Sequence, residues 1–378
     1  MSRHLHLFPF IETNPKMVYL DSASTSLRHF AVSAAVDEFS CKYNINLGRT
    51  FGHRAVEFGN RIDGIRDTIK EMYNCKNFYF TSSATESLND IAKLLLKNGY
   101  INNNSKIVLG IDNHHANILP FEAISKNIKY ILLNKDYNLN FDQLLKLDYI
   151  PDLIALTLSS NVLGGYLDLD QLRTVRKLYP KAILVLDGTQ YLASKSIDFD
   201  SIEADFVVGT FHKMYGPSGL GFTLYKDQYL DLIPSKVGGG NIADVTIDGP
   251  KYLAGGLQYE AGTLNLDTIL SLESILDFLK NHVYNHEFID ISFFDRLDNF
   301  TLYRAVNADK TFCIKHNTMS SFDLANLLSI HGYIVRVGSH CCNPLIHYLK
   351  EEGLIRISLG VYNTNYELNN LFYLLKKL

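Results

Sequence analysis

The sequence predicts an α/β protein: a mostly parallel seven-stranded sheet with helices on both faces, followed by a smaller α+β unit. Three observations carry that expectation. Short, near-continuous apolar runs rich in β-branched and aromatic residues recur along the first 225 residues. Segments of helical periodicity separate them. After about residue 282 the rhythm changes, with two strands in quick succession before the next helix. Strands that are apolar throughout, rather than on alternate residues, suit a parallel sheet covered on both faces.

In chain order the strand-like runs are 77–81, 106–111, 130–134, 153–158, 182–187, 205–209 and 220–225. Between the first two, residues 86–97 place Leu88, Ile91, Ala92 and Leu95 at i, i+3, i+4, i+7, the spacing of one helix face. Beyond residue 282 the reading gives strands at 301–304 and 311–315, a helix from Ser321, strands at 333–337 and 354–359, and a final helix. The expected division is a large unit over 16–282 and a small unit over 283–378, with residues 1–15 packing beside the latter.

The 378 residues carry 36 basic and 40 acidic side chains, a net charge of -4 spread along the chain. That balance offers no basic footprint for nucleic acid and no polybasic patch for a membrane surface. No stretch approaches the roughly 18 apolar residues of a membrane span, and no signal peptide is expected from the first residues. The five cysteines (Cys41, Cys75, Cys313, Cys341 and Cys342) are scattered and contain no CxxC pair. They argue against a disulfide framework and against a metal site, and for a reducing, cytoplasmic setting.

Three strand ends carry chemistry. The run 205–209 leads directly into Thr210, His212 and Lys213 and then a Gly/Pro turn. Partial burial of a lysine there favours the neutral amine that Schiff-base chemistry needs, although a lysine snorkelling from a loop fits the segment equally. The run 182–187 ends in Asp187, with Gln190 three residues on; a carboxylate so placed can pair with a pyridinium nitrogen, or can simply cap a helix. In Thr81-Ser-Ser-Ala-Thr-Glu-Ser87, Ser83 and Glu86 have capping-box spacing, which leaves the amides of Ala84 and Thr85 to open a helix after a strand. Such a turn cups a phosphate monoester, or is only a cap. A phosphate cup, an aspartate and a lysine at three strand ends together fit pyridoxal 5'-phosphate.

With these motifs the chain resembles the class V aminotransferase superfamily of fold type I pyridoxal phosphate enzymes, in its cysteine desulfurase and selenocysteine lyase branch. The likeness spans nearly the whole chain: Tyr19-Leu-Asp-Ser-Ala-Ser24, His114-His-Ala-Asn117, Ser160-Asn-Val-Leu-Gly164, Asp187-Gly-Thr-Gln190, His212-Lys-Met-Tyr-Gly-Pro217, Glu260-Ala-Gly-Thr263, Arg336-Val-Gly-Ser-His-Cys341 and Arg356-Ile-Ser-Leu-Gly360. The resemblance implies that Lys213 forms the Schiff base and shuttles the substrate Cα proton. It implies that His114 stacks on the ring and is catalytic in acid–base steps, and that Asp187 and Gln190 bind the ring nitrogen and phenolic oxygen. Ala84, Thr85, Thr210 and His212 would hold the phosphate, with Thr263 arriving from the second subunit of a homodimer. Asn161 and Arg356 would grip the substrate carboxylate. The segment Asn46-Leu-Gly-Arg49, with His53, is similar to the family's entrance segment.

The activity so implied is desulfuration of L-cysteine to L-alanine, with Cys341 taking the sulfur as a persulfide and passing it to a protein acceptor. The alternative is another reaction of the same class (transamination, β-elimination or epimerisation) on a different amino acid. A neighbouring imidazole, His340, is expected to favour the Cys341 thiolate. For Cys342 three readings stand: a second sulfur acceptor, half of a vicinal disulfide, or a passive small hydrophobe.

Overall fold

The computed structural model describes residues 5–48 and 50–378. Seven strands form the central sheet: β1 (Asn77–Thr81), β2 (Ile107–Gly110), β3 (Ile128–Ile131), β4 (Leu153–Thr157), β5 (Ile183–Asp187), β6 (Phe206–Thr210) and β7 (Gly221–Tyr225). Their spatial order is β1-β7-β6-β5-β4-β2-β3. Only β7 runs against its neighbours, β1 and β6. The other six therefore point one way and end along a single edge, where an open α/β sheet builds its sites.

Period-two geometry explains why the runs are apolar throughout. Phe80, Leu156, Leu186 and Val207 enter one buried cluster, while Tyr79, Ala155, Val185 and Val208 enter another on the opposite face. Helix Ala84–Lys97 covers the second face with the predicted Leu88, Ile91, Ala92 and Leu95, all buried. One expected strand is displaced. The run 130–134 pairs only as far as Ile131, because β2 sets the register Ile107↔Ile128. Beyond it Leu133 bridges to Leu139 and Asn134 closes a turn onto Asn138, which ends the pairing.

The C-terminal unit has an antiparallel sheet, order β8-β9-β11-β10, of β8 (Phe300–Tyr303), β9 (Thr311–His316), β10 (Arg336–Gly338) and β11 (Leu354–Ser358). Its core gathers Phe294, Phe312, Ile314, Ile355, Ile357 and Leu371. The final helix, Asn365–Leu375, starts at a complete capping box in which Thr364 and Glu367 satisfy each other's backbone amides. The expected strand 333–337 divides: Tyr333–Ile334 pairs with Val18–Tyr19, and only Arg336–Gly338 joins this sheet. Upstream, the Phe8 ring packs among His29, Tyr215, Phe278 and Tyr362. An outlying hairpin, Ile242–Thr246 with Gly249–Tyr252, was not legible in the apolar pattern because its residues are largely exposed.

Candidate active site

A cavity of about 220 Å³ lies at the C-terminal edge of the central sheet. From β1 it receives Ser83, Ala84 and Thr85; after β2 come His114 and Ala116; after β4, Asn161; from β5, Asp187, Thr189 and Gln190; from β6, Thr210, His212 and Lys213. The C-terminal unit closes it with Arg336, His340, Cys341 and Arg356. All but one of the residues named from sequence as catalytic, cofactor-binding or substrate-binding line this cavity. The exception is Thr263, exposed in a loop that Gly262 ties to the Gly239 carbonyl at 2.7 Å. His53, exposed at the start of its helix, is not among the lining residues, and Arg49 lies outside the described residues. A larger polar cavity of about 470 Å³, on the other side of Thr157, holds none of the named residues.

Local geometry leaves specific groups unspent. Ser83 caps helix Ala84–Lys97 by accepting from Glu86 N at 3.1 Å. Glu86 reaches back to the Ser82 amide rather than that of Ser83. The first-turn amides of Ala84 and Thr85 have no intrahelical acceptor and face the cavity end, a natural anion site. One Asp187 oxygen accepts from Thr189 N at 3.0 Å, which leaves the other for a ring N–H. Gln190 commits one amide hydrogen to the Ala23 carbonyl at 2.7 Å and keeps a second. Thr210 turns its hydroxyl to the Leu220 carbonyl at 3.2 Å.

The titratable groups are tuned by burial. Lys213 has no hydrogen-bond or ion-pair partner among the described residues, and burial, with Arg356 next in weight, pushes its amine down to about 8. Burial and then the Lys213 charge lower His114 to about 4, and the same two causes lower His212 to about 4. His114 Nδ1 accepts from Ala116 N at 3.1 Å, so in the neutral ring the proton sits on Nε2.

Arg356, 2% exposed, binds Asp21 Oδ1 at 2.8 Å through Nη2 and the Asn161 carbonyl at 3.1 Å through Nη1. Its Nε is buried without a partner among the described residues. Asp21 is a site residue that sequence reasoning passed over, though it stands in the Tyr19–Ser24 motif. Arg336 lies directly opposite Arg356 across β10 and β11, and Asp21 Oδ2 is 3.8 Å from it. One carboxylate thus serves two facing guanidiniums. Asn161 donates through Nδ2 to the His340 carbonyl at 2.8 Å, so in this arrangement it steadies the cysteine loop as well as Arg356.

The loop after β10 holds His340 and Cys341 in consecutive left-handed conformations, each with φ of 55°. Such backbone costs about 1–3 kcal/mol per residue and persists only where surrounding bonds enforce it. Here His115 N grips the Cys341 carbonyl at 2.8 Å, Cys342 N bonds to the Ser339 carbonyl at 3.0 Å, and the His340 ring binds the Leu354 carbonyl at 3.1 Å. The result presents Cys341 exposed and free at the cavity wall.

Two expectations change here. Burial, then Arg356, pushes His340 down to about 3, so its ring is a neutral anchor and supplies no positive charge to Cys341. Cys342 is fully buried, its thiol donates to the Asn113 carbonyl at 3.3 Å, and burial followed by Asp112 raises its pKa strongly. Of its three readings the passive hydrophobe fits.

With this geometry in hand, comparison with known proteins is decisive on the family. Residues 18–371 match the family described as Aminotransferase class-V. The chain is 30% identical over 391 residues to a probable cysteine desulfurase of Mycoplasma pneumoniae, covering 97% of this chain and 93% of that one. It is 28% identical over 377 residues to the cysteine desulfurase of Escherichia coli, covering 94% and 91%. The apo structure of a cysteine desulfurase from Thermococcus onnurineus matches with a TM-score of 0.89 at 25% identity, over 98% of this chain and 96% of that one. The chain belongs to the class V aminotransferase family, enzymes whose cofactor is pyridoxal 5'-phosphate. The cavity fits that group: a lysine without a partner among the described residues, a half-committed aspartate, a spare glutamine N–H and an open helix N-terminus stand at its wall.

Proposed function

We propose that this enzyme converts L-cysteine to L-alanine and retains the sulfur on Cys341 as a persulfide for a protein acceptor, working as a cytoplasmic homodimer. The observation that carries this reading is an exposed, free Cys341 on the same cavity wall as Arg356, with Lys213 contributed by the sheet edge.

In this reading Ala84, Thr85 and His212 would hold the cofactor phosphate, joined by Thr210 once its hydroxyl turns from the Leu220 carbonyl. Asp187 would hold the ring nitrogen and Gln190 the phenolic oxygen, while His114 would cover the ring. Bound there, the cofactor supplies an electron sink that acidifies the substrate Cα–H. Lys213 would be the cofactor's lysine, and its neutral amine would move the Cα proton. Arg356 offers the substrate carboxylate its unpartnered Nε, with Asn161 fixing the guanidinium. Cys341, as thiolate, attacks the substrate sulfur. A new S–S bond forms, the substrate Cβ–S bond breaks with its electrons left on the carbon fragment, and that fragment regains a proton to leave as alanine. Cysteine plus one thiol gives alanine plus one persulfide, so atoms and electrons balance with no added oxidant.

Support for the homodimer comes from two exposed segments. Thr263 is exposed in its loop, and the hairpin Ile242–Thr246 with Gly249–Tyr252 presents Val245 at 67% exposure and Ile247 fully open. A second subunit would cover this surface.

The test is incubation of the purified holoprotein with L-cysteine, followed by mass spectrometry of Cys341 and Cys342 and quantitation of alanine. Sulfur on Cys341 matched by alanine is the expected result. Alanine formation unchanged in Cys341→Ala, with no thiol acceptor present, overturns the nucleophile. A keto acid from another amino acid, with no alanine from cysteine, assigns a different reaction of the class.

A further inference from the structure

The proposed chemistry uses one lysine, yet a second lies buried beside it. Lys310 precedes Thr311, the first residue of β9, and is 5% exposed. Among the described residues it has no carboxylate partner: adjacent Asp309 pairs with Lys195 at 3.4 Å and accepts the Tyr166 hydroxyl at 2.5 Å. Lys310 Nζ donates to the Gln190 carbonyl at 3.0 Å and to Ser194 Oγ at 2.8 Å. An ammonium has three hydrogens; Nζ also sits 5.7 Å from the centre of the Phe288 ring, and the third hydrogen has no nitrogen or oxygen acceptor among the described residues. Lys310 and Lys213 line the same small cavity, about 10 Å³, together with Ser22, Tyr215 and Thr311. That is room for about one water.

We propose that Lys310 is a positioning residue for Lys213: the two amines share a proton across a water-sized cavity, so that charge on either holds the other neutral. The inference rests on the assignment of Lys213 as the cofactor's lysine. Like charges within reach disfavour each other's protonated form, which is one way proteins free a reactive amine. Burial is the main cause that pushes Lys310 down to about 7; Asp309 opposes this, while Lys195 and Lys213 reinforce it. Lys213 stands near 8, lowered first by burial and then by Arg356 and Arg336, with Asp187 and Asp21 opposing, so its coupling to Lys310 rests on the shared cavity. The other groups at the cavity do not titrate in this range: Ser22 and Thr311 are hydroxyls, and burial drives Tyr215 far upward. Close proton affinities are what reversible exchange requires. The step is a proton moving from Lys213 to Lys310 through the water and back, with no other bond changed. It returns Lys213 to the amine form after it has carried a proton.

The experiment follows the rate at which apoprotein takes up pyridoxal phosphate, read by visible absorbance as a function of pH, with borohydride trapping and peptide mapping to identify the attached lysine. Lys310→Met removes the repulsion, so the midpoint for uptake moves up by about one pH unit. Lys310→Arg fixes a charge in place, so the midpoint moves down. Opposite shifts in the two variants support the pair; unchanged midpoints, or shifts of the same sign, overturn it. If the Met variant does not fold, the downward shift in the Arg variant decides alone. Failure of wild-type protein to trap cofactor on Lys213 would instead refute the cofactor assignment, which keeps the two outcomes apart.

Discussion

Cys341 and Cys342 are adjacent in sequence and opposite in environment. Cys341 is exposed, whereas Cys342 is buried against the Asn113 carbonyl with its thiol held protonated. Brief alkylation of the native protein should therefore label Cys341 and spare Cys342, and Cys342→Ala should leave persulfide formation on Cys341 intact. Peptide mapping by mass spectrometry checks both, and prompt labelling of Cys342 would contradict its burial. The sequence could place a thiol at 341 and a second at 342, because spacing shows which residues share a motif. It could not separate their roles, since the left-handed pair at 340 and 341 is what turns one side chain out and the next one in. The same limit applied to His340. A histidine beside a cysteine suggests activation, but whether it carries charge depends on burial, which only the packed loop determines.

At the scale of elements, strands and caps were legible where one physical cause dominates. The run 182–187 is apolar as far as Leu186 because both faces of β5 are covered, and Asp187 is the residue that ends the strand. The final helix is present as expected, and its start is set by Thr364 and Glu367. Thr364→Ala removes that reciprocal cap and should lower unfolding stability by about 1 kcal/mol, measured by urea denaturation. Leu186→Ala, at a fully buried strand position, should cost about 2–5 kcal/mol in the same assay. A Leu186 variant as stable as wild type would mean that the strand is not packed as described. What periodicity missed were pairings decided by partners distant in sequence. The run 333–337 divides because Val18–Tyr19 claims its first half and β11 its second. The exposed hairpin at Ile242–Thr246 has no buried face to leave a pattern.

For the molecule as a whole, folding holds several imidazoles neutral. His114 and His212 are pushed down to about 4 and His340 to about 3, in each case chiefly by burial. The unfolded chain binds protons at these sites near pH 6.5, whereas the folded chain does so only near pH 3–4. Between those limits the unfolded state holds more protons, so stability is fully present above about pH 6.5 and falls as the pH drops. Thermal unfolding should show a midpoint that declines between about pH 6.5 and pH 4, and the decline should be shallower in His340→Gln. An equal slope in that variant would show that His340 titrates freely in the folded protein.

The sequence by itself determined the α/β class, the strand ends bearing Ala84, Thr85, Asp187 and Lys213, and the family to which these belong. Those features depend on local pattern and on the order of motifs along the chain. Only the tertiary structure decided how the C-terminal unit closes the cavity, that Asp21 bridges Arg336 and Arg356, and that Lys310 lies behind Lys213. The reason is physical. A charge far away in sequence leaves no periodic trace, and what it does depends on which groups burial brings within a few ångströms of it.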